Sequence, residues 1–233
     1  VRHNISPVDD EWRHPDATDP KGTPSSVASH ASRLRAQGAA ALVALNDSVA
    51  GSKAANLLAQ AQLAVTQKAD YVTVQIGAND ACTSTVAGMT PTATFEGQVA
   101  AALTHIATSR PGTKIFVASI PNLKTLWAVS KGKLAARLIW SAAKICPSML
   151  ANPSSTSAAD TARRDAVQAR VTEYNAALTR VCAATAGCTS DGGAVAGYAF
   201  TSSLISTLDY FHPSYAGQAK LSELTWPRTP YGS

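Results

Sequence analysis

Asp209 and His212 stand three residues apart in the segment Asp209-Tyr210-Phe211-His212-Pro213-Ser214. In a turn, that spacing lets the carboxylate approach one imidazole nitrogen, fixing the tautomer and leaving the other nitrogen to act as a base. Pro213 stiffens the backbone directly after the ring. Far upstream, Gly77-Ala78-Asn79-Asp80 closes an apolar run. There Gly77 permits a tight turn, and the Asn79 carboxamide is a donor suited to an oxyanion. A second donor is the Gly51 N–H in Asn46-Asp47-Ser48-Val49-Ala50-Gly51, where no side chain obstructs a ligand. A base, its orienting carboxylate and two oxyanion donors are the polar equipment of acyl transfer. Singly, each motif also fits a bland description: an Asn-Asp loop, a glycine opening a helix, a capped turn with a surface His.

Such groups meet only if strands and helices bring their loops to one edge. The β-branched run Asp70 to Ile76, with Tyr71, Val72, Val74 and Ile76, predicts a strand, as do Ala39 to Leu45 and Lys114 to Ile120. Ala194 to Phe200 predicts a late strand. Between them, helical spacing runs from Ser25 or Ser26 to Gln37, from Ser52 to Lys68, onward from Pro91, from Leu123 to Cys146 with a break near Gly132, and from Ala158 to Ala184. Gly217 to Leu224 predicts a terminal helix. Val1 to Pro24, rich in Pro, Asp, Arg and His, reads as an extended surface segment. Strands alternating with helices indicate an α/β sandwich with a mostly parallel sheet, in which ligands bind beyond the carboxyl ends of the strands.

At 233 residues and 45% hydrophobic content, the chain is expected to form one domain spanning 1–233 with a sizeable core. Its net charge of +5 comes from scattered basic residues, with no basic run interleaved with aromatics, so nucleic-acid binding is not expected. No uninterrupted apolar stretch is long enough to span a membrane. Cys82, Cys146, Cys182 and Cys188 lack the spacing of a zinc site, and no metal is expected. Three disulfide connectivities are possible, besides buried free thiols. Because Cys182 and Cys188 bracket a short segment, we favour Cys182–Cys188 with Cys82–Cys146, which implies export to an oxidising compartment. His3, His14, His30 and His105 match no catalytic spacing and are expected at the surface or at caps. Trp127 and Trp140, in the interrupted helix, are expected in the core, with the wall of an acyl pocket as the alternative.

The combination of strand-Gly-x-Asn-Asp with a distant Asp-x-x-His-Pro-Ser before a terminal helix resembles the SGNH (GDSL-type) hydrolase family of esterases and lipases. The resemblance runs from about Ala39 to the terminal helix. Gly77 to Cys82 and Ile145 to Leu150 look most like its secreted actinobacterial branch. It implies a three-layer α/β/α sandwich of flavodoxin-like kind, with His212 as base, Asp209 as its partner, and Gly51 and Asn79 as the oxyanion hole. It also implies no cofactor, and an ester of a small molecule, lipid or acylated sugar as substrate. The expected state is a monomer.

The family's nucleophile lies in a Gly-Asp-Ser segment on the first strand, and the 233 residues contain no such tripeptide. Ser48 imitates it but belongs with the Gly51 loop, and Ser6, in His3-Asn4-Ile5-Ser6, has no apolar strand before it. The first motif, and with it a central strand, is therefore expected upstream of Val1. The rival reading is a catalytically inactive module of the same fold that binds acyl or glycan ligands, and behind it a structural secreted α/β domain without a ligand.

Overall fold

The computed structural model describes the backbone of residues 2–4 and the whole of residues 27–232. Five parallel strands form the sheet, in the order β2-β1-β3-β4-β5: β1 (Arg2–Asn4), β2 (Val43–Leu45), β3 (Tyr71–Val74), β4 (Lys114–Val117) and β5 (Cys188–Ser190). Register is set by Arg2 opposite Val43, His3 opposite Tyr71, Tyr71 opposite Lys114, and Ile115 opposite Cys188.

Alternation along the strands sorts side chains to two faces. Val72, Val74, Ile115 and Val117 enter the larger core, under α2 (Ala54–Thr66), α4 (Thr92–Ser109) and α8 (Ala158–Ala184). Tyr71 and Phe116 enter a smaller core with Ala31 and Leu34 of α1 (His30–Ala36) and with Trp226. Helices cover both faces, and the fold is an α/β sandwich with a parallel sheet. The α8 helix earns its length by burying Val167, Val171, Tyr174, Leu178 and Val181 along one stripe. Tyr174 stacks on Phe95 of α4 with ring centroids 4.2 Å apart.

Several expectations are corrected here. Arg2–Asn4 is not an extended surface segment: it lies in the sheet, between β2 and β3. The first helix starts at His30, where the Ser29 hydroxyl accepts from the Ser32 N–H, while Ser25 and Ser26 lie outside the described residues. Ala194 to Phe200 is not a strand. The sheet takes Cys188–Ser190 instead, and Ala194–Gly197 (α9) is a short helix. The cause is Asp191, whose carboxylate accepts from the Gly193 and Val195 N–H groups and so nucleates a turn where the apolar residues suggested an extended run.

His30 is buried rather than at the surface. Its Nε2 lies 2.8 Å from the Thr225 hydroxyl and its Nδ1 3.2 Å from the Tyr71 hydroxyl. Since Thr225 already donates to the Leu221 carbonyl, it accepts from Nε2–H, and Nδ1 accepts from Tyr71. Both nitrogens of a neutral ring are thus satisfied. Burial first, and the nearby Arg33 second, lower its pKa to about 4.

The pairings Cys82–Cys146 and Cys182–Cys188 are both present, and no cysteine is free. Among the described residues no helix is long and apolar enough to cross a membrane.

Candidate active site

With all strands parallel, the loops that follow β2, β3 and β4 leave by the same edge. The loop after β2 carries Gly51, whose φ of 72° lies in the left-handed region and which has open space where a side chain would stand. After β3 comes Gly77 with φ 113°, then the short helix α3 (Ala78–Ala81). A Cβ on Gly77 would lie 2.5 Å from Ile120 Cδ1 and 2.9 Å from Phe95 Cε2, so both conformation and space require glycine.

Two adjacent side chains tie α3 to the Gly51 loop. Asn79 Nδ2 donates to the Ser52 carbonyl at 3.1 Å. Asp80, fully buried, accepts from the Ala54 N–H at 2.9 Å and from the Thr90 hydroxyl at 2.8 Å. Burial pushes the Asp80 carboxyl above its ordinary range, against the pull of Thr90, Ala54 and Lys53. Asp80 therefore fixes the start of α2 beside Asn79. Sequence reasoning gave it no role, since nothing in the tetrapeptide says which helix its carboxylate will meet.

Asp209 and His212 are brought together. His212 Nδ1 hydrogen-bonds Asp209 Oδ2, and Asp209 Oδ1 accepts from the N–H groups of Phe211 at 2.9 Å and His212 at 3.0 Å. Burial opposes the charged carboxylate, but the His212 hydrogen bond and charge together with the two amides outweigh it and hold the carboxyl below its usual range. The His212 side chain is 43% exposed and that of Asp209 14%. The ring thus opens to solvent while its partner does not. The loop is closed by the Ser206 N–H on the His212 carbonyl at 2.8 Å and an antiparallel bridge between Ile205 and Pro213. The terminal helix α10 (Tyr215–Thr225) then begins at Ser214, whose hydroxyl accepts from Gly217 N–H.

A hydrogen bond and a disulfide in series join this loop to the Asn79 loop. In α6 (Leu134–Ala142), Trp140 donates its indole N–H to the Asp209 carbonyl at 2.8 Å, and its own carbonyl accepts from Ile145 N–H. Cys146 follows and is bonded to Cys82, the residue that ends α3. Ser148, in α7 (Pro147–Leu150), clamps the same junction by donating to the Ala81 carbonyl at 2.7 Å.

Trp140 is therefore a structural anchor in the core, not an exposed pocket wall. Trp127, in α5 (Leu123–Ser130), is buried with the Lys131 ammonium and the Arg164 guanidinium both close to its ring, and its N–H donates to the Pro153 carbonyl. Both indoles lie in the larger core, the place favoured for them.

The Ser48 hydroxyl is held by Asn46 Oδ1 at 2.5 Å, and Ser48 lines a shallow recess with Leu57, Val72 and Leu103. None of Gly51, Asn79, Asp209 and His212 is among the described residues lining that recess. Ser6 and His14 lie outside the described residues, and nothing beyond the backbone is described for His3. His105 sits half-buried on α4, near the Ser109 hydroxyl. No cluster of metal-ligating side chains is present among the described residues.

The fold is thus a parallel α/β sandwich that carries Asn79 on the loop after β3 and the Asp209-His212 pair on the loop before α10. The chain matches the model of the GDSL-like Lipase/Acylhydrolase family over residues 15–220, a span that contains Ser48, Gly51, Asn79 and Asp209 with His212 and begins after β1. It belongs to that family, whose name describes acyl hydrolysis. The fold is similar to that in the crystal structure of TesA, with a TM-score of 0.55 over 97% of this chain and 96% of that one, at 16% sequence identity. No curated protein matches the chain.

Proposed function

We propose that the protein is an exported carboxylic-ester hydrolase acting through a serine acyl-enzyme. The observation that carries this reading is the His212–Asp209 pair, with the carboxylate buried and the ring half open to solvent. Asp209 holds the proton on Nδ1, which places the lone pair on Nε2. His212 takes the proton of the serine hydroxyl as its oxygen bonds the ester carbon, and returns it to the departing alcohol. Water then repeats the sequence on the acyl-enzyme, with His212 again the base. A carboxamide has two N–H donors. Ser52 takes one from Asn79, and the second, with the Gly51 N–H, is assigned to the oxyanion.

The nucleophile belongs at the carboxyl end of the strand between β2 and β3, since the loops after those two strands carry the two oxyanion donors. In the structure that strand is Arg2–Asn4, and Ser6 follows it by two residues in sequence. A Gly-Asp-Ser strand preceding Val1 would claim the same place. The two disulfides support export.

The test is labelling with a serine-reactive phosphonate, followed by peptide mapping, on the 233-residue chain and on the natural protein. A label on Ser6, or on a serine preceding Val1, that disappears in His212→Ala supports the mechanism. A label on Ser48 would overturn the placement. No label on either protein would favour the inactive acyl-binding module, which the missing Gly-Asp-Ser tripeptide also favours.

A further inference from the structure

The helix that anchors the Asp209 loop buries one stripe and exposes another. Ala136 and Trp140 of α6 face the core, whereas Leu134 and Leu138, one turn apart, are 64% and 61% exposed. Leu208, directly before Asp209, is 58% exposed. Large apolar side chains at such exposure, aligned on a helix and repeated beside a site, are a surface feature that needs a partner.

The charged residues in and beside α6 along the sequence have one sign. From Gly97 to Ala159 the sequence contains no Asp or Glu. Lys131 and Lys133 lie just before α6, Arg137 within it and Lys144 just after it. Lys133 stands 5.4 Å from the ring of Tyr210, on the same loop as His212, so the basic rim reaches the site itself. Asp209, on that loop, is already engaged by His212. A helix with leucines on one exposed stripe and basic residues around it fits the boundary of an anionic bilayer, where leucines enter the acyl region and ammonium groups meet headgroup phosphates.

We propose that α6 and Leu208 dock the protein onto an anionic lipid surface, presenting the His212 site to esters held there. The docking stands on the exposed leucines and the charge; the supply of substrate rests on the esterase reading above.

The test is co-sedimentation of the 233-residue chain with vesicles of phosphatidylcholine alone and of phosphatidylcholine containing phosphatidylglycerol. Binding to the anionic vesicles, reduced at least tenfold in Leu134→Gln/Leu138→Gln and about fivefold per charge in Lys133→Glu and Lys144→Glu, is expected. Circular dichroism should show all variants folded, because these side chains lie outside the core. Equal binding to both vesicle types, binding insensitive to the leucine changes, or no binding would each overturn the proposal. So would a leucine-dependent dimer in sedimentation velocity without vesicle binding. Turnover of a short soluble ester by the active protein should be unchanged by the leucine substitutions. Turnover without vesicle binding would sink the docking alone, and vesicle binding without turnover of any ester would sink the esterase reading alone.

Discussion

Trp140 donates its indole N–H to the backbone carbonyl of Asp209 across 2.8 Å, so a buried helix residue holds the loop that orients His212. Trp140→Phe keeps most of the packing and removes the donor. We expect a loss of about 1 kcal/mol in unfolding free energy. For a short soluble ester, kcat should fall severalfold with little change in KM, measurable by steady-state kinetics.

Oxyanion and base roles separate by magnitude. Asn79→Ala should lower kcat by about 10²–10³, the usual cost of one oxyanion donor. Asp209→Asn should cost about 10⁴, because an amide can no longer fix the ring tautomer. Kinetics on the active protein check both, and wild-type rates in either variant would remove that residue from the mechanism.

The two disulfides should contribute unequally. Cys82–Cys146 spans a sequence separation of 64 and Cys182–Cys188 one of 6. Chain-entropy arguments give about 4 kcal/mol for the first and about 2 kcal/mol for the second. Urea unfolding of Cys82→Ala/Cys146→Ala and of Cys182→Ala/Cys188→Ala would show the order. The first variant should also lose turnover, since its bridge lies between the Asn79 and Asp209 loops.

Acid should weaken the fold through His30. Its folded pKa is about 4 against an ordinary 6.5, so between these values the unfolded chain binds a proton that the folded one does not. The His30 contribution is therefore constant above about pH 6.5 and becomes destabilising as pH drops toward 4, by up to about 3 kcal/mol. Denaturant titrations at pH 7 and 4.5 should show this loss, and His30→Gln should shrink it even though the variant is less stable overall.

Gly77→Ala tests the turn that delivers Asn79. The new methyl would meet Ile120 and Phe95 well inside contact distance, at a backbone angle that L-residues avoid. We expect a loss of about 2 kcal/mol or more, read from the unfolding midpoint, together with a fall in turnover.

The local signals that decided most were periodicity and spacing. The stripe from Val167 to Val181 predicted α8 from end to end, and the β-branched run at Tyr71 predicted β3, because burial of one helix stripe or strand run needs no knowledge of the partner. Asp209 and His212 were legible because three residues in a turn suffice to bring them together. What required tertiary structure were relations whose partners are remote in sequence. Arg2–Asn4 has no apolar signature, and only pairing with both Val43 to Leu45 and Tyr71 makes it a strand. His30 looks like a surface residue until Tyr71 and Thr225 close around it. Trp140 is one more core indole until Asp209 offers a carbonyl, and Asp80 is one more loop acid until Ala54 and Thr90 converge on it. Sequence determines which groups can react and which faces must be buried. The packed chain decides which of them meet, because a hydrogen bond or a strand pairing between distant residues leaves no local pattern.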